Sequence, residues 1–146
     1  MREREIADRL EIGDLLAKYA YAVDTGDWAR LDLVFTPDAM IDYTAGGGVR
    51  GTRDEVRRWL AETLPHWPGR QHLIGATVVR FVGDEAVVTA SFTATLAPSR
   101  DALPAGAAGF VQYGGWHHHR MVRTPYGWRS EELVEERAWQ AGHRAR

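Results

Sequence analysis

Arg80-Phe81-Val82-Gly83-Asp84-Glu85-Ala86-Val87-Val88 reads as two strand ends joined by a short turn, and it decides the fold. β-Branched and aromatic residues flank Gly83-Asp84-Glu85, the composition of a hairpin connection. Working outward, residues 71–82 and 86–97 make one pair of long segments rich in Val, Thr and aromatics. Residues 109–123 and 127–139 make a second pair, joined by Thr124-Pro125-Tyr126-Gly127. The stretch 98–108 between the pairs is the least structured part of the chain and a candidate mobile lid. The second half is thus a long antiparallel meander.

The first half has a different period. Ile6, Leu10, Leu16 and Ala20 recur at helical spacing across 3–24, with charges between them. Gly26 is a helix stop, and Asp27 can cap a second short helix over 28–35, which Thr36-Pro37-Asp38 breaks. Residues 39–44 alternate as a strand, with Ala39, Ile41 and Tyr43 on one face and Met40, Asp42 and Thr44 on the other. Gly46-Gly47-Gly48 lacks the strand-to-helix context of a phosphate loop and reads as a turn. Thr52 and Glu55 have capping-box spacing for a third helix running to about 64, closed by Pro65 and Pro68. Helices followed by a meander is an α+β order. The expected architecture is a cone-shaped α+β barrel in one domain over 1–146. Three N-terminal helices pack in a strongly bent, mixed or antiparallel sheet, leaving an apolar pocket inside.

Composition narrows the function classes. The 146 residues carry a net charge of −2, so no broad basic surface for nucleic acid is implied. There are no cysteines, which excludes disulfides, thiolate metal sites and a Cys nucleophile. No apolar run approaches the ~20 residues that span a bilayer, and the charged N-terminus has no signal-peptide core. A cytoplasmic protein with no membrane partner is expected. Six Trp and five Tyr suit either core packing or a pocket for a flat ligand.

Four places can carry chemistry. Asp24 continues the stripe of Leu16 and Ala20, so its carboxylate points to the core if the helix persists that far; otherwise it swings to water beside Gly26. His72 opens a long strand and shares a face with Ile74, Ala76 and Val78. It is either a satisfied core residue or, given an acidic partner, a general base. Tyr43 on an inward face is either ordinary core or a donor to a substrate carbonyl. In His117-His118-His119, alternation puts His117 and His119 on one face and His118 on the other with Trp116 and Arg120. An H-x-H pair is a metal-ligand spacing only with a third ligand, for which Glu131, Glu132, Glu135 and Glu136 on the next strand are the candidates. No metal is assigned.

The runs Ala20-Tyr21-Ala22-Val23-Asp24-Thr25-Gly26-Asp27-Trp28-Ala29-Arg30-Leu31, Ile41-Asp42-Tyr43, Gln71-His72-Leu73-Ile74-Gly75 and Gly127-Trp128 resemble the scytalone dehydratases in order and spacing. The likeness covers most of 10–135 and extends to the wider SnoaL-like group of the nuclear transport factor two-like superfamily. It implies a catalytic His at His72, an Asp that holds it at Asp24, and one of two carbonyl-binding tyrosines at Tyr43. It also marks departures. Val23 takes the place of the second tyrosine, Ala97 that of a second catalytic His, and Gly115 and His117 those of a Ser and an Asn. His117 is therefore the candidate second imidazole. Tyr19, Val23, Trp28, Ala97 and Leu133 make up the expected substrate-contacting set.

The implied activity is proton abstraction next to a carbonyl, followed by dehydration, cyclisation or isomerisation of a small polyketide- or steroid-like molecule. It needs no cofactor. A non-catalytic ligand-binding or scaffold protein is the alternative, and a cavity of ~300 Å³ or more beside His72 discriminates the two. A homodimer or homotrimer is expected, with Trp116, Trp128 and Trp139 available on the outer sheet face.

Overall fold

The computed structural model describes residues 2–101 and 109–142. Helix α1 (Glu3–Thr25) is followed by a 3-10 helix (Trp28–Leu33), strand β1 (Phe35–Asp42), the short strand β2 (Arg50–Thr52) and helix α2 (Arg53–Thr63). Four long strands complete the fold: β3 (Gly69–Val82), β4 (Glu85–Ala97), β5 (Val111–Thr124) and β6 (Gly127–Gly142). They form one six-stranded sheet of order β2-β1-β6-β5-β4-β3. The sheet is mixed, because β1 runs parallel to β6 while the other neighbours are antiparallel. The fold class is α+β, as the order of elements implies. Two of the three expected helices are α-helical and the middle one is 3-10. The larger part of the expected lid, 102–108, lies outside the described residues.

Helix α1 ends as its sequence dictates. Gly26 takes φ 73°, and its N–H returns to the Ala22 carbonyl. Arg70 from β3 fastens that end: Nε donates to the Val23 carbonyl at 2.9 Å, and Nη1 donates to the carbonyls of Leu64 (2.9 Å) and Trp67 (3.2 Å). At the head of α2, the Thr52 hydroxyl accepts from the Glu55 N–H at 3.3 Å, as the capping-box spacing predicts.

The core forms where α1 lies on the sheet. Ile12, Leu15 and Leu16 pack on Ala86, Val88, Ala90, Met121 and Trp128. Farther along the helix, Tyr19, Ala22 and Val23 pack with Phe35, Ile41, Leu60 and Leu133. Alternate residues of β4, from Ala86 through Ala94, face inward, and three of them are alanines that let the helix approach closely.

Four sequence expectations need correction. Ile6 and Leu10 are exposed, and the buried stripe of α1 runs Asp8, Ile12, Leu15, Leu16, Tyr19, Val23. At about 100° per residue, Asp8 and not Leu10 lies one turn below Ile12. Thr36-Pro37-Asp38 belongs to β1: the β1–β6 register shifts between Phe35 and Met40, and a proline without an N–H sits in that gap. In β3 the register shifts between Ile74 and Thr77, so Ile74 faces inward but Val78 is exposed, and Val79 and Phe81 take over the inner face. Trp128 is not on the outer face; it is wholly buried, unlike Trp116 and Trp139. The β5–β6 pairing also carries an extra residue, Ala138, between the pairs Gly115–Arg137 and Gly114–Trp139. It turns Trp139 outward onto Gly114 and Gln140 toward the inside.

Candidate active site

Helix α1 persists through Asp24, and the carboxylate turns to the sheet. Asp24 Oδ2 accepts the His72 backbone N–H at 2.8 Å, and Oδ1 meets His72 Nδ1 at 2.6 Å. The two contacts fix the imidazole in both position and rotation. A carboxylate only accepts, so Nδ1 carries the ring proton and Nε2 keeps a free lone pair. Both side chains are largely buried, at 17% exposure for Asp24 and 7% for His72.

His72 lines a cavity of about 420 Å³ together with Tyr19, Val23, Tyr43, Tyr113 and Glu135. Its roof comes from the loop at Gly46–Gly48 and from Trp59, Leu60 and Trp67. Strand register explains the space. His72, Ala94, Tyr113 and Gln140 stand in one row across β3, β4, β5 and β6. His72 and Tyr113 are thus two strands apart, roughly 10 Å, with only the methyl of Ala94 between them.

Tyr19 and Tyr43 bring their hydroxyls into a short mutual hydrogen bond at the cavity wall. Burial raises both phenols well above their ordinary range, so both remain protonated donors. Tyr19 stands one helical turn before Val23, where the resemblance had left a tyrosine missing. The second phenol comes from the same face of α1, four residues earlier. The i, i+4 relation between Tyr19 and Val23 was the signal for it.

The remaining candidates divide. Val23 lines the cavity, but Trp28, Ala97 and Leu133 do not. Trp28 lies under the Arg70 guanidinium, Ala97 pairs with Gly69 at the end of its strand, and Leu133 is wholly buried in the core. His117 does not line the cavity either. It is 1% exposed, stacked on Phe92 with ring centroids 3.9 Å apart, and its Nε2 stands 3.7 Å from Glu135 Oε1. Burial pushes its pKa down, and the Glu135 carboxylate only partly opposes this, so the ring is neutral at physiological pH. His119 is also buried, its Nδ1 2.9 Å from Ser130 Oγ, and burial lowers its pKa to about 3. His118 faces outward between Thr89 and Glu136. Among the described residues, no three His, Cys, Asp or Glu side chains converge as a metal site.

Two charged cavity residues were not among the expected site residues. By sequence Glu135 is a candidate only as a metal ligand, and nothing there marks Arg137. Both share the inner face of β6 with Leu133, and that alternation was their signal. Arg137 Nε donates to Glu135 Oε2 at 3.2 Å.

Known proteins agree with this arrangement at the level of the fold. An uncharacterized protein of Mycobacterium tuberculosis strain H37Rv is 39% identical over 137 residues, covering 93% of this chain and 89% of its own. A Novosphingobium aromaticivorans protein provisionally named scytalone dehydratase superposes with a TM-score of 0.82 at 18% identity, covering 100% of this chain and 94% of that one. A type 2 hexachlorocyclohexane dehydrochlorinase, LinA, superposes with a TM-score of 0.77 at 19% identity, covering 97% and 95%. At these identities the two structures establish shared architecture. The SnoaL-like domain matches residues 4–134, and the chain belongs to the SnoaL-like family.

Proposed function

We propose that this protein is a cofactor-independent acid–base enzyme of the dehydratase, cyclase or isomerase type, acting on a small carbonyl compound. The observation that carries it is the two-point grip of Asp24 on His72 beside a cavity of about 420 Å³. A scaffold protein has no use for that space, which falls within the ~300–1,000 Å³ of small-ligand sites.

The chemistry follows from the groups present. His72 Nε2 takes a proton from the carbon next to the carbonyl. Asp24 stabilises the imidazolium that results, and it keeps the proton-bearing nitrogen turned away from the substrate. The electrons move onto the carbonyl oxygen, where the Tyr19–Tyr43 pair, with one O–H given to the mutual bond, donates the other to the developing enolate. His117, neutral and set behind Glu135, is a positioning residue in this scheme and meets the substrate only through Glu135. Two neighbours in fold are named for eliminations, a dehydratase and a dehydrochlorinase, and both names suit a site that begins with proton removal.

The test needs no knowledge of the natural substrate. The protein is incubated in D₂O with a panel of mono- and bicyclic ketones such as 2-tetralone, and deuterium entry at the α-carbon is followed by NMR. Wild type is expected to accelerate exchange, and H72A to lose ~10²-fold or more of that acceleration while keeping its circular dichroism. Equal rates in the two proteins would overturn the assignment of His72.

A further inference from the structure

The β6 wall of the cavity holds a cation that the proposed proton transfer does not use. Arg137 is 19% exposed and fixed on several sides. Its Nε donates to Glu135, its Nη1 donates to Gln140 Oε1 at 3.4 Å, and its Cζ lies 3.4 Å from the centroid of the Tyr113 ring. On another side the backbone at Gly46 comes so close that a Cβ there would lie 2.1 Å from Nη2. Among the described residues, Nη2 has no hydrogen-bond partner. Gln140 also borders the cavity, and with its Oε1 taken by Arg137 its amide can still donate.

Fold stability does not explain this arrangement. Burying an ion pair gains little over apolar packing of the same volume, because desolvation offsets the attraction. A guanidinium already held by neighbours does gain something on binding. It has few rotamers left to lose, and its planar fork matches a carboxylate. The rest of the cavity wall is largely apolar, with Trp59, Leu60, Trp67 and Leu96. Arg137 stands three strands from His72, on the order of 14 Å across the sheet. A ring compound with its reactive carbon at one end and a charge at the other would span that distance.

We propose that Arg137 and Gln140 form a subsite for the carboxylate of an otherwise apolar, ring-bearing ligand. Glu135 and Tyr113 hold the guanidinium ready while the site is empty. The proposal rests on the cavity being the substrate site, but not on the chemistry assigned to His72.

The test compares 2-naphthoate with its methyl ester, reading binding by calorimetry and by quenching of tryptophan fluorescence. Wild type is expected to bind the acid at least tenfold more tightly than the ester. R137M should lose this preference and keep its ester affinity within about twofold. R137K, which keeps the charge without the fork, should retain part of the preference. H72A should retain all of it, so failure of the base assignment would be seen separately, in the exchange assay. Equal affinities in wild type, no binding of the acid at millimolar concentration, or a preference that survives in R137M would each overturn the subsite.

Discussion

The two ends of α1 each bring a buried acid to the sheet, with opposite results. At the N-terminal end Asp8 accepts from Arg123 through Nη1 (3.0 Å) and Nη2 (2.7 Å), and from Trp128 Nε1 at 3.0 Å. The Arg123 guanidinium also covers the Trp128 ring at 4.7 Å and reaches Asp84 in the β3–β4 turn at 3.5 Å. Two guanidinium nitrogens and the indole N–H are committed to Asp8, and the space beside this clasp is a surface groove lined mostly by charged side chains, among them Arg2, Arg4 and Glu5. At the C-terminal end Asp24 meets one imidazole, and the other side of that ring faces open space. A carboxylate answered by a guanidinium and an indole locks the helix to the sheet. A carboxylate answered by a titratable ring beside a void holds a proton acceptor ready. The partner and the space in front of it, more than the acid itself, separate structure from chemistry.

D24N tests this contrast most severely. An amide can hold one His72 contact but cannot stabilise an imidazolium, so α-proton exchange should fall ~10²–10⁴-fold, while the thermal midpoint moves by only a few degrees. Unchanged exchange would erase the distinction between the two ends. D8A should do the reverse. Losing the bidentate pair and the indole bond should cost about 2–3 kcal/mol in urea unfolding, with exchange per folded molecule unaltered. A urea midpoint equal to wild type would show that the clasp does not stabilise the fold.

The smallest effect is one of pH. The hydrogen bond from Arg123 holds the Asp8 carboxyl below the usual carboxylate range. Its stabilisation is therefore complete above the unfolded value of ~3.9 and is lost as pH falls through the folded value. The gap in thermal midpoint between wild type and D8A should shrink on going from pH 7 to pH 3. A gap that stays constant would remove the ionised carboxylate from the account.

The sequence made one end of the helix legible and hid the other. Leu16 and Ala20 lead to Asp24 in steps of four, which leaves core and solvent both open, and it is the resemblance to the scytalone dehydratases that pairs Asp24 with His72. Asp8 lies on the same stripe below Ile12, yet Ile6 and Leu10 offered a competing apolar pattern that turned out to be solvent-facing. Helix periodicity and hairpin turns are local, so the elements and their order could be read directly. Register shifts depend on partners far along the chain, and this is why the inner face of β3 beyond Ile74 was misassigned. For the same reason Glu135 could not be set opposite His117 before the β5–β6 pairing was known. The fold of Trp128 into the core followed from Asp8 and Arg123, neither of which its own neighbourhood announces.

Ala138 carries a consequence for how such a protein can diverge. Because it stands unpaired between Arg137 and Trp139, Gln140 and not Trp139 is at the cavity mouth. Loss of that one codon would straighten the end of β6 yet leave Trp139 opposite Gly114 and Gln140 opposite Tyr113, with the helices, the dyad and the hydrophobic centre in place. A lineage could thus shed the kink through a single short deletion and keep the same side chains toward the ligand, whereas drawing Ala138 into the ladder would turn the indole inward.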